Sequence, residues 1–244
     1  MDKAVTFDLW NTILCDRHYG EHRVDALERA LKEEGIIVDK MVIRNSYQSA
    51  LICFNELWES DRKHQYISAA NVIEFVLKSL NVSLSIGSKS EAVERFEEAI
   101  LHDPPPLREG TRMVLKKLHN RYRIGLISNT GITPGRILRR VLEHHTILRY
   151  FACTIFSDEV GFTKPCPVIF RKAINALQVN PAGAIHIGDL LETDVAGAKA
   201  IGMKTVWLND AGTDLQRNDS KTTPDHEIRE LSQLPRILHT EKND

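Results

Sequence analysis

Apolar positions along the chain change period at three places. Residues Ala4-Val5-Thr6-Phe7-Asp8-Leu9 form a short apolar run that closes on an acid. That is the pattern of a buried strand delivering Asp8 to its carboxyl end. From about Asp16 to His102 the apolar residues recur at helical spacing. They run Val24, Leu27, Leu31, then Val42, Ile43, Tyr47, Ala50, Leu51, Phe54, Leu57, then Val72, Ile73, Phe75, Val76, Leu80. Punctuation at Gly35, around Asp61 to Tyr66 and from Asn81 to Ser90 divides the stretch into about four helices. The run Asp103-Pro104-Pro105-Pro106 is a rigid, non-helical re-entry segment.

Beyond it the pattern alternates. Helices are expected over 111–118, 135–142, 167–177 and 194–201, and strands over 123–128, 152–157, 184–188 and 204–208. Repeated α/β alternation predicts a doubly wound parallel sheet of about five or more strands with helices on both faces. The helical stretch after the first strand reads as an insert. Residues 1–16 and 106–244 would form the sheet core and 17–105 an inserted domain. Inserts near strand carboxyl ends usually cover sites.

Composition narrows the function without naming it. The chain has 244 residues, 42% of them hydrophobic and 27% charged, which suits one globular domain carrying an insert. A net charge of −1 argues against an electrostatic nucleic-acid binder. Cys15, Cys53, Cys153 and Cys166 show no C-x-x-C spacing, so a structural zinc site has no support. Scattered cysteines fit a reducing cytoplasm. The amino terminus carries no signal-peptide core, and no apolar run reaches ~18 residues. A cytoplasmic protein with a small-molecule substrate, no nucleic acid and no membrane partner is expected, as monomer or homodimer.

Ligands of open parallel sheets bind at strand carboxyl ends. Those ends carry Asp8, Trp10 and Thr12 after the first strand, and Ser128, Asn129 and Thr130 after the second. Lys164 follows the third, and Asp189, Glu192 and Asp194 follow the fourth. Converging carboxylates raise one another's pKa unless a cation relieves them. Mg²⁺ does so readily, keeping one or two carboxylates plus waters and phosphate oxygens. Lys164 adds positive charge, and Ser128 with nearby backbone N–H groups can hold phosphate oxygens. This is a cradle for a group that becomes more anionic during transfer.

Four segments together resemble the motifs of the haloacid dehalogenase-like superfamily. They are Phe7-Asp8-Leu9-Trp10-Asn11-Thr12-Ile13, Leu126-Ile127-Ser128-Asn129, Gly161-Phe162-Thr163-Lys164-Pro165 and Ile187-Gly188-Asp189-Leu190-Leu191-Glu192-Thr193-Asp194. Pro224-Asp225-His226-Glu227-Ile228 with Leu231 resembles the segment that closes this core. The resemblance implies a Rossmann-like core and an α-helical cap, with Asp8 as nucleophile. It implies catalytic roles for Ser128 and Lys164 and substrate contacts from Thr12, Ser128, Asn129 and Lys164. Mg²⁺ would be held by Asp8, the Trp10 carbonyl and Asp189, with Asp194 in support.

Blander readings stand beside these. Ser128 and Asp194 each suit a helix N-cap, Glu192 a solvated position, and His144, His145 and His186 structural roles. The chain also departs from the phosphatase pattern. A second aspartate usually stands two residues after the nucleophile and protonates the leaving alcohol; here that position is Trp10, whose indole cannot titrate. Three readings follow: a Mg²⁺-dependent phosphatase of a small phosphorylated metabolite, a 2-haloacid dehalogenase-like hydrolase, or a non-catalytic binder of a phosphorylated ligand. The dehalogenases carry a bulky aromatic at the Trp10 position, and Arg44 would be their carboxylate-binding arginine. They use serine and asparagine where this chain has Asp189 and Asp194, and a tyrosine where it has Phe170. The acidic pair favours the phosphatase reading.

Overall fold

The structure is a computed structural model that describes residues 3–60, 67–210 and 222–240. Contacts divide it into two units, one of Met1–Asp16, Pro105–Asn129 and Leu142–Asp244, the other of Arg17–Pro104 and Thr130–Val141.

The first unit is built on one parallel sheet. Its strands are β1 (Ala4–Phe7), β2 (Arg123–Ser128), β3 (Cys153–Phe156), β4 (Ala184–Gly188), β5 (Lys204–Leu208) and β6 (His226–Ile228). They lie in the order β3-β2-β1-β4-β5-β6, every pair parallel. Every residue of β1 and β4 is buried, which is why both read as apolar runs rather than alternating ones. The order reverses beside β1, so the crevice such sheets offer a ligand opens at the ends of β1 and β4.

The helices of this unit follow the expected periods with local corrections. In chain order after the insert come α5 (Thr111–Leu118), α6 (Gly135–His144), α7 (Ser157–Val160), α8 (Pro167–Leu177), α9 (Ala196–Lys199) and α10 (Leu234–Thr240). Most of α6, through Val141, groups with the second unit. Pro167 opens α8 at a position where its fixed φ suits a first turn. The buried face of α8, Ile169, Phe170, Ala173, Ile174 and Leu177, packs on Ala4, Ile127 and Ile155 of the sheet. The strand expected over 152–157 is shorter, because Ser157 already begins α7. The helix expected over 194–201 is also different: a π-helical turn, Leu191–Val195, precedes the short α9.

The second unit contains α1 (Gly20–Glu33), α2 (Lys40–Ser60), α3 (Ala69–Ser79) and α4 (Ile86–Glu98). Their apolar faces meet in one cluster that includes Leu27, Leu31, Ile43, Tyr47, Ile73, Val76 and Phe96. Ser68 caps α3 reciprocally with Asn71. The break expected from Asn81 to Ser90 ends early, because Ser85 caps α4 by accepting from the Ser88 N–H. The break around Asp61 to Tyr66 and the Leu57 side chain lie outside the described residues. No described helix is long and apolar enough to cross a membrane.

Candidate active site

Asp8 stands one residue past β1, between the ends of β2 and β4. Phe7 is in register with Leu126 on one side and Ile187 on the other. The Asp8 N–H donates to the Ile187 carbonyl at 2.8 Å, which carries the ladder one residue past the strand. The chain then turns sharply. Ile13 and Leu14 both donate to the Leu9 carbonyl, and Asn11 donates to that of Leu14. Asn11 takes a left-handed φ of 53°, a conformation its side chain tolerates better than most. The bonds of this turn use the carbonyls of Leu9 and Leu14 and leave that of Trp10 out.

Lys164 reaches the same point from the loop after α7 and is 2% exposed. Its ammonium donates to Asp8 Oδ1 and, at 2.6 Å, to Asp194 Oδ1. Asn129 holds its backbone: Oδ1 accepts the Lys164 N–H at 2.8 Å and Nδ2 donates to the Lys164 carbonyl at 3.4 Å. The amide expected to meet substrate is engaged with the Lys164 backbone. The Ser128 hydroxyl is buried and donates to the Asn129 carbonyl at 3.1 Å. Ser128 caps no helix, since α6 starts only at Gly135. Thr12 is fully buried, and its hydroxyl has no hydrogen-bond partner.

Asp194 is not an N-cap; it lies inside the π-helical turn, where its Oδ2 accepts from the Leu190 N–H at 3.2 Å. Its Oδ1 also meets His186 Nε2 at 3.1 Å. His186 Nδ1 in turn lies 2.9 Å from Thr6 Oγ1, and Phe170 packs edge-on against the ring at 5.2 Å. Sequence reasoning missed His186 as part of this cluster. The signal was present: His186 and Gly188 are two apart on β4 and share a face, and Asp194 occupies the space a Gly188 side chain would take. Glu192 is exposed and His145 meets the Pro105 carbonyl at 2.8 Å. Arg44 is held by both oxygens of Glu21, at 2.7 and 2.6 Å, so its charge is already compensated.

Asp8, Asp189 and Asp194 each offer an oxygen, all within 4.8 Å of one another. Burial, reinforced by Asp194 and opposed by Lys164, raises Asp8 to about 6. Burial, then Asp8 and Asp194, raises Asp189 to about 8. Burial pushes Asp194 the same way, but Lys164 and His186 outweigh it and hold it down at about 2. Burial depresses Lys164, and the two carboxylates more than reverse this. Fully ionised, the three carboxylates with one ammonium would leave two net negative charges, a donor set that fits a divalent oxygen-seeking cation.

The acid–lysine cluster stands at the switch point of the parallel sheet, where ligands of such folds bind. A model of the haloacid dehalogenase-like hydrolase family matches residues 3–202, and the chain belongs to that family. It is 28% identical over 246 residues to the glyceraldehyde 3-phosphate phosphatase of Pyrococcus abyssi, covering 99% of this chain and 95% of the relative. A phosphatase of the family from Thermococcus onnurineus superposes with a TM-score of 0.65 at 28% identity, covering 97% of both chains. A 2-haloacid dehalogenase from Pseudomonas syringae superposes at 0.73 with 27% identity, covering 99% of this chain and 100% of that one.

Proposed function

We propose that the chain is a Mg²⁺-dependent phosphatase of a small phosphorylated metabolite, working through an aspartyl intermediate on Asp8. The observation that carries this reading is the acidic pair Asp189 and Asp194 beside Asp8, with Lys164 buried among them. Asp8, the Trp10 carbonyl and Asp189 would hold Mg²⁺, with Asp194 in support. Bound there, Mg²⁺ supplies Lewis-acid stabilisation of the negative charge on the transferred group.

The chain's own groups divide the remaining work. Lys164 fixes Asp8 through Oδ1, while Oδ2 is buried without a partner and is the atom left to attack phosphorus. An Oδ2–P bond forms as the bond from phosphorus to the leaving oxygen breaks. Water then attacks phosphorus, the Asp8–phosphate bond breaks, and inorganic phosphate departs. Lys164 neutralises charge on the phosphoryl oxygens, assisted by the backbone around Ser128. Asn129 serves this chemistry by setting the Lys164 backbone, and Thr12 offers its buried, unpartnered hydroxyl to the substrate. Trp10 cannot protonate a leaving alkoxide, which favours substrates whose leaving group is a weak base, such as acyl or phenyl phosphates.

The 2-haloacid dehalogenase reading retains one specific support, the aromatic Trp10, because halide leaves without a proton. One assay separates the two. Phosphate release is followed from glyceraldehyde 3-phosphate, other alkyl phosphates, acyl phosphates and phenyl phosphates, with Mg²⁺ or with chelator, for wild type and Asp8→Asn. Halide release from 2-haloacids is followed in parallel. Mg²⁺-dependent phosphate release lost in Asp8→Asn is expected. Halide release without Mg²⁺ would replace the phosphatase reading, and ligand binding without turnover would make the chain a binder.

A further inference from the structure

We infer that Thr6 and His186 form a buried positioning arm that acts through Asp194 to hold Lys164 against Asp8. The inference rests on the reading of Asp8 as nucleophile and adds two residues to it. It begins in the sheet register. Thr6 on β1 stands opposite His186 on β4, and Thr6 lies two residues before Asp8. Period two therefore puts Thr6 on the face of β1 that Asp8 continues, and His186 on the face of β4 that Gly188 continues. Gly188 has no side chain, and Asp194 folds into that space.

The proton assignments follow from the partners. Asp194 Oδ1 accepts from Lys164 and Oδ2 from the Leu190 N–H, so the carboxylate acts as an acceptor and His186 Nε2 carries the hydrogen it shares with Oδ1. With Nε2–H given to Asp194, the neutral ring has its acceptor at Nδ1, 2.9 Å from the Thr6 hydroxyl that donates to it. One hydroxyl thereby sets the tautomer that lets the ring serve Asp194. Asp194 Oδ1 receives both His186 Nε2 and Lys164 Nζ, while Oδ2 is tied to the Leu190 N–H. Its carboxylate is held through both oxygens by partners other than Lys164. Thr6, His186, Asp194 and Lys164 are each no more than 2% exposed, so no solvent replaces a lost partner. Phe170 closes the edge of the ring.

A histidine that merely fills the core would tolerate any side chain of similar volume. A positioning histidine needs its donor. The test compares His186→Leu, which fills space, with His186→Gln, whose Nε2 can reach Asp194. Each is also made in an Asp194→Asn background, and Thr6→Val supplies a near-isosteric variant at the far end of the arm. Two readouts are taken from Mg²⁺-loaded protein of verified fold. The first is the ammonium signal of Lys164 in ¹⁵N-lysine NMR, assigned with Lys164→Arg. The second is the kcat and KM of phosphate release.

His186→Leu is expected to lose the slowly exchanging Lys164 signal and to lower kcat roughly ten- to hundredfold, with KM nearly unchanged. His186→Gln should recover most of both. Thr6→Val should fall between, and keeps the test decisive if His186→Leu does not fold. In the Asp194→Asn background the change at His186 should cost little more. An intact Lys164 signal and kcat in folded His186→Leu would overturn the arm, as would equal losses in the Leu and Gln variants. If wild type releases no phosphate, the NMR comparison still decides the arm while the phosphatase reading fails.

Discussion

Gly188 and Asp194 share one volume: the Asp194 carboxyl lies where a Cβ on residue 188 would stand. The glycine is needed for space rather than for its backbone angles, since it is absent from the left-handed residues of the chain. Its neighbour Asp189 follows the strand, and the π-helical turn then brings Asp194 back to the strand end, where it meets Lys164. Gly188→Ala should therefore displace Asp194 and unseat Lys164. Misplacement of about 1 Å at a reacting centre costs on the order of 10²-fold in rate. The check is kcat for phosphate release beside the thermal midpoint; a fully active Gly188→Ala protein would refute the steric argument.

Asn129 predicts a milder effect. Its amide bonds the N–H and the carbonyl of Lys164 and hydrogen-bonds none of the three carboxylates of the cluster. Asn129→Ala should reduce kcat by about tenfold, the scale of one or two lost hydrogen bonds. Substrate affinity should change little. A rise in KM at constant kcat would instead assign Asn129 to substrate binding, as the motif alone implies.

The acidic cluster makes metal binding depend on pH. Asp8 at about 6 and Asp189 at about 8 both lie above their ordinary carboxylate values. Between about pH 4 and pH 8 the metal-free folded protein thus holds protons that the unfolded chain has released. Its stability from these groups falls as pH rises through that window. On the proposed reading Mg²⁺ would replace those protons, so its stabilising effect should grow in the same direction. Thermal midpoints with Mg²⁺ and with chelator, compared at about pH 5.5 and about pH 8.5, measure this. An equal Mg²⁺ shift at both would remove the carboxylates as the binding groups.

In the proposed phosphatase, Trp10 stands where the motif would place a general acid. Trp10→Asp should raise kcat on alkyl phosphates, by up to ~10²-fold, with little gain on acyl phosphates that need no proton. No gain on alkyl phosphates from a folded variant would show that protonation of the leaving group does not limit the rate.

Asp225 fastens β6 to β5 away from the site. Its Oδ2 accepts both the Thr205 N–H and hydroxyl at 2.8 Å, and its Oδ1 accepts Lys199 at 3.0 Å. Burial would raise its pKa, but the Lys199 and Thr205 bonds outweigh this and lower it. The stability it adds is therefore present above the unfolded value and is lost as pH falls through the lower folded one. Asp225→Ala leaves a strand N–H unpaired and should cost about 1 kcal/mol near neutral pH. The thermal midpoint should fall by roughly 2–4 °C, with the difference shrinking in acid.

Much of this architecture is written in local pattern. Pro167 opens α8 and Arg123–Ser128 forms β2 as their periods predict, because both elements bury one consistent face. Asp8, Lys164, Asp189 and Asp194 could be placed at strand ends from sequence because parallel alternation leaves few other topologies. Boundaries that depend on hydrogen bonds were not visible in that way. Ser85 capping α4 and the π-helical turn at Leu191–Val195 are decided by which backbone groups find partners.

The chain order by itself determined the parallel core, the inserted helices and the set of acids and lysine carried to one edge. Only the tertiary structure decided how those groups are used. Arg44 is compensated by Glu21, Asn129 serves the backbone of Lys164, and His186 reaches Asp194 rather than resting in an apolar core. Each outcome depends on a partner 8 to 35 residues away in sequence, brought near by strand register and helix packing. Hydrophobic period reports which face of an element is buried, and carries no record of which polar atom on another element completes it.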